Sequence, residues 1–443
     1  MKPFLSSLLI ILFIALLIST PSLNAMASDE GEWRNRGEVS LQWRQFENDN
    51  NDTSIDTGML IFTRLETQYE DERNRHVFRG FARVDQKDKD RDFMSFEDVY
   101  FSRLLDEEES WLVLAGYKLY NWTATEAFHP ADVINSRNFD SDIEYFEKKG
   151  ELTLELSKFT DWGKISFFLW PRFEQPQFPG NRSRLGFGVD LDRPTAVDGT
   201  TVGDKWLPQG GVRIGITLDD GDLSLHLINH IDRNFPIIGT ANFSFNPVLQ
   251  RNVPNDSIAF ATGPTPYYFR KTQAGGTLQY AFSNLLVKFE GAYRVFDDEL
   301  PILTAEGINR PINHGEAALG FEYQLPFSMG GGDTSIFTEA GSILGTTKEE
   351  RARLGAFQRD VLFGLRHSFN DIMGKELFLT MIHDVERANE RLYNISYSQR
   401  LSDLWKIQMG VRVYDAPKKG NVARGLEALD GAHHVLANLT RFF

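Results

Sequence analysis

The segment His434–Phe443, HVLANLTRFF, closes the sequence and decides the fold. Val435, Ala437, Leu439 and Phe443 fall on one face of an extended chain, and His434, Asn438 and Thr440 fall on the other. A period of two marks a strand with an apolar and a polar side. Its backbone groups need partners, and its apolar side must meet something other than water. A soluble domain more often frays into a polar tail at this point. The expectation is therefore a strand that closes a ring and shows its apolar face to lipid.

The opening residues fit an exported protein. Lys2, the apolar run Leu8–Ile18, Pro21 and Ala25-Met26-Ala27 have the order of a secretory signal peptide. Cleavage is expected after Ala27, dividing the chain into a signal peptide (1–27) and one barrel domain (28–443). No later stretch approaches the ~20 apolar residues that a membrane helix requires. With 0 Cys, neither a lipidated cysteine nor a disulfide is possible. A net charge of −15 argues against nucleic acid as a partner. Hydropathy alone would suggest a soluble protein, since charged residues make up 25%. The aromatic share of 13%, with 35 Phe, instead suits a barrel whose strands are half lipid-facing and half polar.

The alternation recurs along the whole chain. MLIFTRLETQY (59–69) places Met59, Ile61, Leu65 and Tyr69 on one side. GELTLELS (150–157) sets Leu152, Leu154 and Leu156 against Glu151, Thr153 and Glu155. GVRIGITLDDGDLSLHLINH (211–230) is a hairpin around Asp219-Asp220-Gly221-Asp222. Similar runs continue to Trp405–Tyr414, each about ten residues long, the length of a tilted strand across a bilayer. Short polar turns near 71–74, 106–110, 159–162, 219–222, 283–284, 326–332, 370–374 and 402–404 alternate with longer segments. This predicts an all-β fold: a transmembrane antiparallel β-barrel of about 18 strands (16–18), with short periplasmic turns and long extracellular loops. The expected location is the outer membrane of a Gram-negative bacterium, with its lipid bilayer as surroundings. The terminal aromatic is expected to be read by the barrel-assembly machinery, although Arg441 departs from the usual hydrophobic residue two positions before the end.

Assigning apolar residues outward leaves a basic polar face. Arg64, Arg79, Arg83, Arg213, Lys271, Lys288, Arg294, Arg366 and Arg412 point inward and form the candidate substrate pathway. Arg44, Lys118, Arg400 and Lys406 join them. The acids assigned inward are fewer: Glu66, Glu151, Glu155, Glu290, Glu316, Glu322 and Glu339. Such a lumen favours anions, or else the cations pair with acids and brace the wall. Loops 171–209 and 233–266 are long enough to fold inward and restrict the pore. No catalytic, metal or cofactor residues are expected, because no hydrolase or zinc motif appears. His226 and His230 share a strand face but lie about 7 Å apart along it, and Asp232 follows them.

The segments 120–146 and 161–188 carry tryptophan, proline and arginine rather than plain turn chemistry. Trp122, Asp132-Val133-Ile134-Asn135, Phe139-Asp140 and Trp170-Pro171-Arg172-Phe173 resemble a family of outer-membrane proteins catalogued as a domain of unknown function. Trp122, Asp132, Asn135, Trp170, Pro171 and Phe173 carry the match, while Thr123 and Ser136 stand where that family commonly has Gly and Pro. The resemblance implies a link to export systems built on transporters of the resistance–nodulation–division (RND) type and their periplasmic components. The chain is also broadly similar to alginate-export and porin barrels. Together these readings lead to a conduit for anionic or amphiphilic small molecules, lipids or polymers, its basic lumen restricted by long loops. The alternatives are a general porin and a non-conducting component of an RND-linked export system.

Overall fold

The computed structural model describes residues 27–28, 31–49, 54–142, 145–186, 191, 196–198, 200–201, 205–234, 236–239, 242–246, 251–255, 265–297, 300–304, 307–387, 390–418 and 423–443. Eighteen long strands form its main sheet. They are β1 (Gly31–Phe46), β2 (Thr57–Glu70), β3 (Asn74–Asp85), β4 (Phe93–Leu104), β5 (Trp111–Lys118) and β6 (Glu151–Thr160). There follow β7 (Gly163–Trp170), β8 (Gln209–Leu218), β9 (Gly221–Ile231), β10 (Arg270–Phe282), β11 (Leu285–Phe296) and β12 (His314–Gln324). The last six are β13 (Asp333–Leu344), β14 (Arg359–Ser368), β15 (Glu376–Asp384), β16 (Arg391–Ser402), β17 (Trp405–Asp415) and β18 (His434–Phe442).

Each strand pairs antiparallel with its sequence neighbour, and β18 returns to β1, from Phe46 opposite His434 to Glu38 opposite Phe442. The ring has no open edge, so every wall amide can find a partner within the sheet. Gly37 and Phe443 exchange two backbone hydrogen bonds of 3.0 Å at the seam. A Cβ on Gly37 would lie 2.1 Å from the Phe443 ring, so glycine is what admits the terminal phenyl there. The closing strand expected from HVLANLTRFF is present.

Outward side chains are apolar and exposed along the middle of the wall, among them Met59, Leu156, Phe167, Leu225, Leu319, Phe363 and Val411. At the turn end Trp33, Phe159, Trp162, Phe282, Phe327, Phe369, Trp405 and Phe443 also face out. An apolar band edged by aromatics is the surface that a bilayer covers. Of the expected signal peptide, residues 1–26 lie outside the described residues. Ala27–Ser28 pair with Gly31–Glu32 as a two-residue strand beside β1.

One irregularity matters for the lumen. The register between β3 and β4 slips at Arg79/Gly80, where Arg79 opposes Asp98 but Gly80 opposes Phe96. Glu97 is the extra residue of a β-bulge, so it and Asp98 are both buried on the lumen side instead of alternating.

Candidate functional site

The third outer loop, residues 119–150 between β5 and β6, turns into the barrel. Its base is tied by Asn135, whose Oδ1 accepts from the Tyr120 amide (2.7 Å) and whose Nδ2 donates to the carbonyls of Lys118 (3.0 Å) and Lys149 (2.8 Å). Above this lies a buried cluster of Tyr120, Trp122, Val133, Ile134, Phe168, Trp170 and Ile228. The Phe168 and Trp170 rings stack at 5.2 Å, and the Arg213 guanidinium sits 5.1 Å over Trp122. Asp132 accepts from the Trp122 amide (3.2 Å) and is ion-paired with Lys148 and, at 3.8 Å, Arg137. Burial would raise the Asp132 carboxyl, but these two cations outweigh it and hold it below the ordinary carboxylate range. Phe173 is fully buried against Tyr268 (5.1 Å), beneath Arg233, and Pro171 joins it to Trp170. The residues that carried the family resemblance thus build the root of this loop and of its neighbour.

Beyond its base the loop crosses to the far wall. Amides outside any sheet need acceptors, and two wall carboxylates supply them. Glu290 on β11 accepts from the amides of Ala124 (2.5 Å), Thr125 (2.9 Å) and Ala131 (3.4 Å), and from the Thr125 hydroxyl (2.7 Å). Glu339 on β13 accepts from the amides of Glu126 (2.5 Å) and Ala127 (3.0 Å). The Pro130 carbonyl accepts from Arg294 at 3.1 Å. A Cβ on Gly341 would lie 2.7 Å from the Phe128 ring, so glycine permits the close approach.

Loops 171–209 and 233–266 are expected from the sequence to fold inward and restrict the pore; among the described residues, however, the segment held deep inside the lumen is 119–142. The described part of the first crosses the mouth instead, with Arg184 donating to Asp56 (2.6 Å) and to the Gly431 carbonyl (2.7 Å) on the opposite rim. Most of 235–264 lies outside the described residues.

All nine pathway cations sit on inward-facing positions, and most are engaged by acids. Arg64 pairs with Glu38 (2.7 Å) and Glu97 (2.9 Å), and Arg79 pairs with Asp98 (2.6 Å) and Glu97 (3.1 Å). Arg83 pairs with Glu147 (2.9 Å), Lys271 with Asp232 (3.1 Å), and Lys288 with Glu322 (2.9 Å) and Glu126 (3.1 Å). Arg294 pairs with Glu316 (2.6 Å), and Arg366 lies 3.4 Å from Glu126. Arg213 donates to the Ser224 hydroxyl (3.0 Å), and Arg412 is buried at the side of the passage. Lys271 and Arg294 are fully buried under the loop, so they do not line open space. The count of inward acids fell short for physical reasons. The bulge turns Glu97 inward beside Asp98, and the third loop itself delivers Glu126, Asp132, Asp140 and Glu147.

A polar cavity of about 500 Å³ remains between the loop and the wall of β16, β17, β18, β1 and β2. Gln42, Asn394, Ser396, Gln408 and Asn438 form its wall side. The cationic side chains around it are Arg44, Arg64, Arg83, Arg91, Arg137, Lys148 and Arg412, against the carboxylates of Glu97, Asp132, Asp140 and Glu147. The described lining residues keep an excess of three positive charges. His226 lies against Trp122 (5.3 Å) and Gln273 (3.1 Å), and His230 is fully buried on the same strand. Among the described residues no three His, Cys, Asp or Glu side chains are grouped to hold a metal ion.

No family model matches the chain, and no curated protein does. Among solved structures it is similar to OmpF of Salmonella typhi in complex with daunomycin, at 9% identity and a TM-score of 0.45, over 95% of this chain and 100% of that one. It is also similar to OmpT, an outer membrane protein of Vibrio cholerae in trimer form, at 10% identity and a TM-score of 0.42, over 94% and 100%. A mutant of the Rh. blastica porin gives 10% and 0.41, over 93% and 100%. At such identities the likeness is one of barrel fold.

Proposed function

We propose that the protein is an outer-membrane channel of a Gram-negative bacterium that passes small anionic solutes along one side of its lumen. The observation that carries this reading is the lining of the polar cavity, with seven cationic side chains against four carboxylates. Low-dielectric walls focus such a field, so an excess of a few charges biases which ions enter. The third loop supports the restriction to small solutes, because it occupies the other side of the lumen and is fixed to β11 and β13. A general porin would be wider and less selective.

The test is the reversal potential of the purified protein in planar bilayers under a potassium chloride gradient. Chloride preference is expected, and Arg412→Gln should reduce it. A preference for potassium would overturn the reading. A second reading, a closed component of an RND-linked export system, draws on the family resemblance and on the hydrogen bonds that hold the loop across the lumen. It predicts no measurable ion current from a correctly folded barrel.

A further inference from the structure

At the loop end of the barrel a second cavity, of about 820 Å³, opens above the third loop. Its volume is in the range of sites that hold drug-sized molecules. Its walls differ in kind from those of the polar passage. Phe128 and Phe139 rise from the third loop, Phe178 comes from the loop after β7, and Ile237, Ile312 and Phe357 come from later loops. Phe139 and Phe178 stack with ring centres 5.2 Å apart and planes 9° apart, and Phe128 meets Phe357 edge-on at 5.5 Å. Inorganic ions gain nothing from such walls, whereas an apolar body gains in proportion to the area it removes from water.

The charges of the described lining are mostly of one sign. Arg137, Arg310, Arg353 and Arg424 line the cavity, and the one carboxylate among the described lining residues is Glu316, which already accepts from Arg294 at 2.6 Å. His129, Arg137 and Ser141 border both this cavity and the polar passage. A molecule seated above therefore meets the same arginine that guards the way below.

We propose that this outer cavity is a binding site for an amphipathic anion, a molecule with one carboxylate or sulfonate head and a compact ring-bearing apolar body. The body lies between the Phe139–Phe178 stack and Phe357, and the head faces the arginines. The site rests on the channel reading above for the onward passage of its ligand, while binding itself is separable from conduction.

The probe is 1-naphthaleneacetate, titrated calorimetrically into the full-length mature barrel in lipid nanodiscs, with empty nanodiscs as reference. Saturable one-site binding is expected, at least tenfold tighter than that of the neutral 1-naphthaleneethanol, with acetate showing no saturable binding. Phe139→Ser with Phe178→Ser should weaken binding about tenfold. If that variant does not fold, Arg310→Gln with Arg353→Gln changes two exposed side chains and should weaken the acid severalfold, leaving the alcohol unchanged. Absence of saturable binding, equal affinity for acid and alcohol, or variants that bind like the parent would each overturn the proposal. Binding by a barrel that carries no ion current would keep this site and sink the channel reading instead.

Discussion

The hold of Glu290 and Glu339 on the third loop gives the sharpest handle on the pore. Replacing both with alanine removes the acceptors for five amides and one hydroxyl of residues 124–131. A hydrogen bond to a charged group contributes a net ~1.5–3 kcal/mol. Counting only one strong bond per carboxylate, the double variant should destabilise the inward position of the loop by roughly 3–6 kcal/mol. That corresponds to about a hundredfold to ten-thousandfold in the ratio of inward to displaced loop. The barrel wall should tolerate the change, because among the described residues neither carboxylate is ion-paired with a lysine or arginine; the His129 ring lies 3.6 Å from Glu290. Single-channel recording in planar bilayers should show a clear rise in conductance or in the time spent in a large open state. Glu290→Gln with Glu339→Gln, which keeps an oxygen acceptor at each position, should fall between parent and alanine variant. A folded, heat-modifiable alanine variant whose conductance equals that of the parent would refute the view that these two carboxylates keep the loop inside.

Deleting Phe442 and Phe443 removes the seam contacts with Gly37 and Glu38, so the heat-modifiable form should be lost from the outer membrane; parental levels would contradict this. Arg83→Gln takes the buried cation away from half-buried Glu147 and should cost about 2 kcal/mol, between an exposed and a fully buried pair. Arg79→Gln should cost only about 1 kcal/mol, since Arg64 and Lys118 still face Glu97 and Asp98; melting curves with the opposite ranking would refute the pairing scheme. In the loop after β3, burial and then the Asp140 charge push the Asp88 carboxyl up to about 6. Its folded value lies above its unfolded one, so the folded protein holds the extra proton between about pH 4 and 6. Thermal stability should therefore fall as pH rises through that window, and Asp88→Asn should flatten this part of the profile; an unchanged slope would count against it.

The wall of the barrel was legible because a single rule governs it. One side of each strand meets lipid and the other does not, so Leu152, Leu154 and Leu156 declare their face without knowledge of any neighbour. The same rule misjudged the lumen wherever a residue arrived by another route. Glu97 escapes it because a bulge breaks the period, and a bulge depends on how two strands fit, not on either sequence alone. Glu126, Asp132 and Glu147 escape it because loop residues carry no period. Yet the third loop did leave a sign. Trp122, Phe128, Val133 and Ile134 lie between two strands in a stretch that length and turn residues mark as a connection. A connection in water gains nothing from such side chains and usually avoids them. The strands had already claimed the lipid face, so these residues could escape water only by folding into the barrel. Loop length pointed to 171–209 and 233–266, but length measures only reach. Buried-type side chains measure the free energy that draws a segment inward, and residues 122–134 carry them.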